Sequence, residues 1–134
     1  MDNPSIWQTR GAAAPAFSPL KGDVEADALV IGGGMCGVLT AHELKVRGLS
    51  VVVIDAGELG QSVTAHTTAK ITAQHGFIYH RLLTGAGEST ARRYAAANRR
   101  GVDRLCQLAA AEGMDCDFER LDAYAYVRDK AKLP

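Results

Sequence analysis

The sequence has no long apolar run, no excess of charge of either sign and no cysteines at paired spacing. Each absence narrows what the protein can be. No stretch approaches the roughly 20 consecutive apolar residues of a membrane-spanning helix, and the start, Met1-Asp2-Asn3-Pro4-Ser5-Ile6-Trp7, is polar. No membrane partner is therefore expected. Fifteen basic and fifteen acidic residues give a formal net charge of zero. That balance supplies no field for nucleic acid or an anionic lipid surface, and points to a small-molecule substrate instead. The three cysteines, Cys36, Cys106 and Cys116, form no C-x-x-C pair and leave one over. Neither a disulfide framework nor a zinc site follows, and a reducing, cytoplasmic setting is expected. Internal repeats and low-complexity segments are lacking, and 134 residues are enough for one domain at most.

What the sequence does contain is concentrated in Ala28-Leu29-Val30-Ile31-Gly32-Gly33-Gly34-Met35-Cys36-Gly37 and its echo, Val51-Val52-Val53-Ile54-Asp55. An apolar run, glycines at positions one, three and six of a G-x-G-x-x-G pattern, a helical pattern and a second apolar run ending in an acid form the dinucleotide-binding βαβ fingerprint. Gly32 permits the tight turn out of the strand, and Gly34 lets the backbone approach a pyrophosphate with no Cβ in the way. Gly37 lets the helix pack closely on the sheet. The helix start aims amide N–H groups and the positive end of the helix dipole at the phosphates. Asp55 lies 21 residues past Gly34, where a carboxylate accepts hydrogen bonds from the adenosine ribose. An acid there also argues against the 2′-phosphate of NADP.

The rest of the chain reads as follows. Residues 1–25 hold three of the four prolines and an Ala-rich stretch, which predicts an extended arm, not a helix, with Trp7 as its anchor. The domain proper is expected over 26–134. Strand one is expected at Ala26–Ile31, buried on both faces, the first helix over Met35–Arg47 with Gly48 as its stop, and strand two at Ser50–Ala56. Gly57–Gly76 is rich in Gly, Ser, Thr and His with no helical period, which suggests a loop and a short extended segment travelling along a ligand. One or two helical turns over Phe77–Leu83 should break at Gly85-Ala86-Gly87 before a long helix over Glu88–Glu112, whose arginines form a solvated face. Cys116–Glu119 and Leu121–Val127 read as strands, and Arg128–Pro134 as a charged, frayed end.

The fingerprint extends past its glycines to Ala41 and Gly48 and then to Asp55-Ala56-Gly57-Glu58-Leu59-Gly60. With Thr64-Ala65-His66-Thr67-Thr68-Ala69-Lys70 and Gln74-His75-Gly76, the chain resembles the FAD-dependent oxidoreductases of the D-amino-acid oxidase and glycine oxidase superfamily. It is most similar to the subgroup whose longer members carry a C-terminal Rieske domain. The likeness runs from about Ser5 to Val127 and takes in Ser5-Ile6-Trp7 and Asp115-Cys116-Asp117-Phe118. It implies an α/β fold, a Rossmann-like FAD-binding βαβ unit with the start of a mixed α+β substrate domain. It also implies FAD as cofactor and removal of hydride from a carbon bearing an amine. Carried over by position, Gly32, Gly34, Met35, Cys36 and Gly37 form the pyrophosphate loop, Asp55 and Ala56 the ribose end, and Thr64, His66, Thr67, Thr68, Ala69 and Lys70 the segment near the flavin.

The sequence departs from the family in having Asp55 where Glu is usual, one methylene shorter. The later strands of the FAD domain, most of the substrate domain and a Rieske ligand pair have no counterpart, so a truncated chain is expected, with either a homo-oligomer or a missing C-terminal part as its partner. The resemblance names no catalytic residue. His66 sits where some amine-oxidising relatives attach FAD covalently, although a loop histidine hydrogen-bonded to its surroundings is the commoner role. His66, His75 and His80 match no common metal spacing. Cys36 serves as a small residue beside the cofactor or as a stabilised thiolate, and Lys70 as a phosphate partner or an exposed lysine. Two other readings stand beside the oxidoreductase: a non-catalytic NAD- or FAD-binding module, and an inactive fragment. The Thr64–Lys70 segment, which a plain NAD module would not need, discriminates.

Overall fold

The computed structural model describes residues 4–10, 15–61, 63–124, 126, 128 and 129. The chain divides into two compact units, Met1–Ala69 and Lys70–Pro134.

The first unit opens with a helix, α1 (Ile6–Arg10), which corrects the expectation of an arm without helix. The reason is local. The Ser5 hydroxyl accepts the Gln8 amide at 3.3 Å while the Gln8 side-chain oxygen accepts the Ser5 amide at 2.8 Å. This reciprocal capping box supplies the helix start that the proline-rich composition concealed. Residues 15–26 carry no regular secondary structure.

Strand β1 (Ala28–Ile31) and strand β2 (Val51–Ile54) pair in parallel, in register from Ala28 opposite Val51 to Ile31 opposite Ile54. Both are shorter than predicted, because the ladder is closed off at each end by other bonds. At the start, Ser50 N–H and Oγ–H both donate to Asp27 Oδ2 at 2.8 Å, and Asp27 N–H donates to Ser50 Oγ at 2.9 Å. At the far end, Gly32 N–H donates to the Ile54 carbonyl at 2.7 Å. Between the strands runs α2 (Met35–Val46), packed on both. It stops at Gly48, whose φ of 87° lets Leu49 N–H turn back to the Leu44 carbonyl at 3.3 Å.

The expectation that β1 is buried on both faces is overturned. Ala28 and Val30 are half-buried, but Leu29 is 57% and Ile31 79% exposed. An apolar run of this kind suits a strand covered on both sides, and among the described residues only one side is covered. A short 3-10 helix, Val63–His66, lies within the stretch expected to be loop and extended segment.

The second unit is built on α3 (Ile78–Ala111), two helical runs joined at Gly87, which has φ 80° and ψ 165°. The break expected at 85–87 thus falls at its third residue. Among the described residues of this unit, Ala91 and Leu108 are the buried apolar side chains. The Tyr94 ring is met edge-on by Tyr79 and His75, and Tyr79 O–H donates to the Ala73 carbonyl. Arg92 pairs with Glu88 one turn away on the exposed surface. The strands predicted at 116–119 and 121–127 are not formed among the described residues. A strand exists only by pairing, and Leu121, Tyr124 and Tyr126 are exposed. Ala125, Val127 and residues 130–134, which include most of the predicted frayed end, lie outside the described residues.

Candidate functional site

The loop between β1 and α2 is shaped by three different demands on its glycines. Gly32 adopts φ 106°, outside the reach of ordinary side chains. At Gly37 a Cβ would stand 1.8 Å from the Gly32 carbonyl oxygen, so the first turn of α2 sits on the strand exit at a distance that only glycine allows. Gly34 is the residue before the helix, with extended backbone. Its would-be Cβ meets only the Thr64 hydroxyl, at 3.4 Å, which leaves an open cradle.

The helical ladder of α2 begins with Val38 N–H donating to the Gly34 carbonyl at 3.0 Å. The amides ahead of it fall outside that ladder and carry the positive end of the helix dipole. Met35 N–H is taken by Thr64 Oγ1 at 2.9 Å. Cys36 is exposed beside it. Open backbone, unladdered amides and a missing Cβ fit the pyrophosphate of a dinucleotide.

Asp55 ties this loop to the end of β2. Its Oδ2 accepts Gly33 N–H at 2.6 Å and its Oδ1 accepts Gly57 N–H at 2.8 Å. These amides, Gly57 first and Gly33 second, hold the carboxyl below its ordinary range, so it is an anion with both oxygens oriented. Ala56 beside it is exposed.

The segment after Gly57 returns to the same loop. Gly60 N–H donates to the Gly33 carbonyl at 2.9 Å, Leu59 covers Gly33, and the 3-10 helix brings Thr64 to α2. Its last residue, His66, is exposed, as are Thr67, Thr68 and Ala69. Ala69 N–H donates to Thr67 Oγ1 at 3.2 Å, and Ala69 has φ 53°, an uncommon backbone for a residue with a Cβ. Lys70 opens the second unit, where it is exposed.

Of the residues singled out from the sequence, the structure thus gathers Gly32, Gly34, Met35, Gly37, Asp55 and Thr64 around one loop. His66, Thr67, Thr68 and Ala69 continue from it, and Lys70 belongs to the other unit. Sequence reasoning passed over Gly33 and Leu59, which lock the loop, and Thr64 as a helix cap. A third consecutive glycine was the available signal for Gly33. His66 lies in the first unit while His75 and His80 lie in the second; no group of three potential metal ligands occurs among the described residues, and His75 Nε2 faces Asn98 Oδ1 at 3.2 Å.

A family model described as DAO, FAD dependent oxidoreductase, matches residues 27–134. The chain belongs to this family. FAD is accordingly its dinucleotide, and the superfamily inferred from Gly32–Gly37, Asp55 and Thr64–Lys70 is the right one. The DAO-family chain is 40% identical over 126 residues to a putative Rieske 2Fe-2S iron-sulfur protein, YhfW, of Bacillus subtilis strain 168, a match that covers 94% of this chain and 25% of that protein. It is 53% identical over 34 residues to the fructose dehydrogenase large subunit of Gluconobacter japonicus, covering 25% of this chain and 6% of that one. It is also 44% identical over 46 residues to a pseudooxynicotine dehydrogenase of a Pseudomonas species, covering 34% and 9%. The chain thus spans a quarter or less of the length of each of these relatives. No solved structure matches it. No helix among the described residues is long and apolar enough to cross a membrane.

Proposed function

We propose that the chain forms the FAD cradle of an oxidoreductase that takes hydride from a carbon bearing an amine, in an amine or amino-acid substrate. The observation that carries the cradle is the joining of the fingerprint loop to Asp55: an oriented carboxylate 2.6 Å from Gly33 N–H, at the edge of a loop left open at Gly34. The amine-bearing carbon rests on the family resemblance of the Thr64–Lys70 segment. Gly32, Gly34, Met35, Cys36 and Gly37 receive the pyrophosphate, Asp55 and Ala56 the adenosine ribose, and the stretch from Thr64 through His66, Thr67, Thr68 and Ala69 to Lys70 runs beside the ring system. The surrounding fold is a Rossmann-like βαβ unit followed by the beginning of a substrate domain.

FAD, when bound, supplies the electron sink for the hydride. The chain's own share is to hold the anionic pyrophosphate on backbone amides, to fix the ribose by a carboxylate and to set the ring by the 64–70 segment. A substrate amine that arrives neutral needs no general base from these residues, and no side chain is assigned that role.

The test is an ultraviolet–visible spectrum of the purified 134-residue chain before and after FAD, followed by acid precipitation. Flavin absorbance at ~450 nm travelling with the protein is the expected result. Colour retained in the precipitate would mark a covalent link, and its loss in His66→Ala would place that link at His66. A protein that stays colourless with excess FAD would sink the cradle.

A further inference from the structure

The N-terminal helix α1 packs on the 3-10 helix Val63–His66 and is bonded to the residues on either side of it. Trp7 Nε1–H donates to the Thr67 carbonyl at 2.7 Å, and Gln8 Nε2–H donates to Gln61 Oε1 at 3.0 Å. The other end of the Gln8 amide is fixed by the Ser5 N–H in the capping box, so its donor is turned outward. Trp7 is 44% exposed. A tryptophan left this open is not filling a core, and its indole N–H is committed to a backbone carbonyl 60 residues away. Between the two anchored points, Thr64 Oγ1 accepts the Met35 amide. Gln61 and the 63–67 stretch are therefore gripped by α1, and Thr64 joins that stretch to the first amide of α2.

We propose that Trp7 is a positioning residue for FAD: its indole N–H fixes the Thr67 backbone, and so sets the 64–67 segment where it meets the flavin end of the cofactor. This rests on the reading of Gly32–Lys70 as the FAD cradle. The adenosine and pyrophosphate end depends on other bonds. Asp55 to Gly33 and Gly57, and Gly32 to Ile54, all stand without Trp7. The two ends of the cofactor should therefore answer differently to its loss.

The experiment compares FAD and ADP binding to the wild-type chain and to Trp7→Phe, which keeps an aromatic ring and removes the N–H. ADP carries the adenosine and diphosphate but no flavin. The expected result is FAD affinity about tenfold weaker in Trp7→Phe, the effect of one well-formed hydrogen bond, with ADP affinity within about twofold of wild type. Unaltered FAD affinity in the variant overturns the proposal and leaves the cradle standing. Parallel losses of FAD and ADP also overturn it, because Trp7 would then support the unit as a whole. A wild-type chain that binds ADP but not FAD, or neither, overturns the FAD reading itself and this inference with it.

Discussion

Asp55 and Gly33, 22 residues apart, meet at 2.6 Å through a carboxylate oxygen and a backbone amide. The bond ties the end of β2 to the loop that leaves β1, so the acid of the fingerprint holds the glycine loop in shape as well as facing outward. The second oxygen is held by Gly57 N–H, and the carboxylate therefore acts as a bridge between two loops. Replacing it with an amide puts an NH₂ group against one of two donors. Asp55→Asn should weaken FAD binding roughly tenfold or more, since a charge-assisted bond is lost and an N–H pair is opposed. Titration of FAD against the variant, followed by flavin fluorescence, checks this; wild-type affinity would mean that the bridge and the proposed ribose contact are both dispensable.

The residues that made this constellation readable from sequence are those whose constraint is local. Gly32 needs its positive φ, Gly37 needs the missing Cβ, and Asp55 ends an apolar strand at a fixed distance. None of these depends on a partner that the sequence cannot name. Trp7 to Thr67 and Thr64 to Met35 were not legible in detail, because they join points 60 and 29 residues apart with no periodicity between them. α1 was hidden for a different reason: the prolines of the first 25 residues outweighed the Ser5–Gln8 capping box. The two strands expected after residue 115 show the converse error. Their side-chain pattern suits a sheet, but pairing is a tertiary condition that pattern does not supply, just as the apolar run of β1 did not show that Leu29 and Ile31 stand uncovered among the described residues.

Gly34 and Gly37 separate folding from binding. A Cβ at Gly37 lies 1.8 Å from a backbone oxygen that has no freedom to leave, so Gly37→Ala should lower stability by about 3 kcal/mol or more by displacing α2. At Gly34 the backbone is one any residue adopts, and the nearest atom is at 3.4 Å. Gly34→Ala should therefore unfold within about 0.5 kcal/mol of wild type while losing FAD, because in the proposed cradle the methyl group would occupy the pyrophosphate approach. Urea unfolding and FAD titration on the two variants measure both halves. A Gly34→Ala protein that binds FAD normally would remove that glycine from the site.

Acid sensitivity has two identifiable sources. Asp27 is held below the ordinary carboxyl value of 3.8 by the Ser50 amide and then by the Ser50 hydroxyl, and Asp55 is lowered by the Gly57 and Gly33 amides. Both groups bind protons less readily folded than unfolded. Their contribution is complete above the unfolded value and is lost as pH falls from about 3.8 through the folded values. Asp27→Asn should flatten the fall of the urea midpoint below about pH 4 while leaving the parallel register intact. An unchanged slope in that variant would show that the Asp27–Ser50 clasp does not set the acid limit.

The joint in α3 offers a test within the second unit. Gly87 has φ 80° and ψ 165°, a region that is essentially closed to residues with a Cβ. A methyl group there would meet no atom within 4 Å, so the cost is conformational, not steric crowding by neighbours. Gly87→Ala must either strain the joint, at about 1–3 kcal/mol, or let residue 87 adopt helical angles and run the two helical pieces into one. Far-ultraviolet circular dichroism with urea unfolding distinguishes the two: a lower midpoint at constant helicity marks strain, and a rise in helicity marks straightening. Alanine is the better helix former by about 1 kcal/mol, which reduces the cost of straightening but not the packing of Tyr79 against Tyr94, one on each side of the joint. Since that ring pair holds the two pieces in their bent relation, the expected outcome is a lower midpoint with helicity unchanged; gain of helix with no loss of stability would mean that the bend is imposed by Gly87 alone.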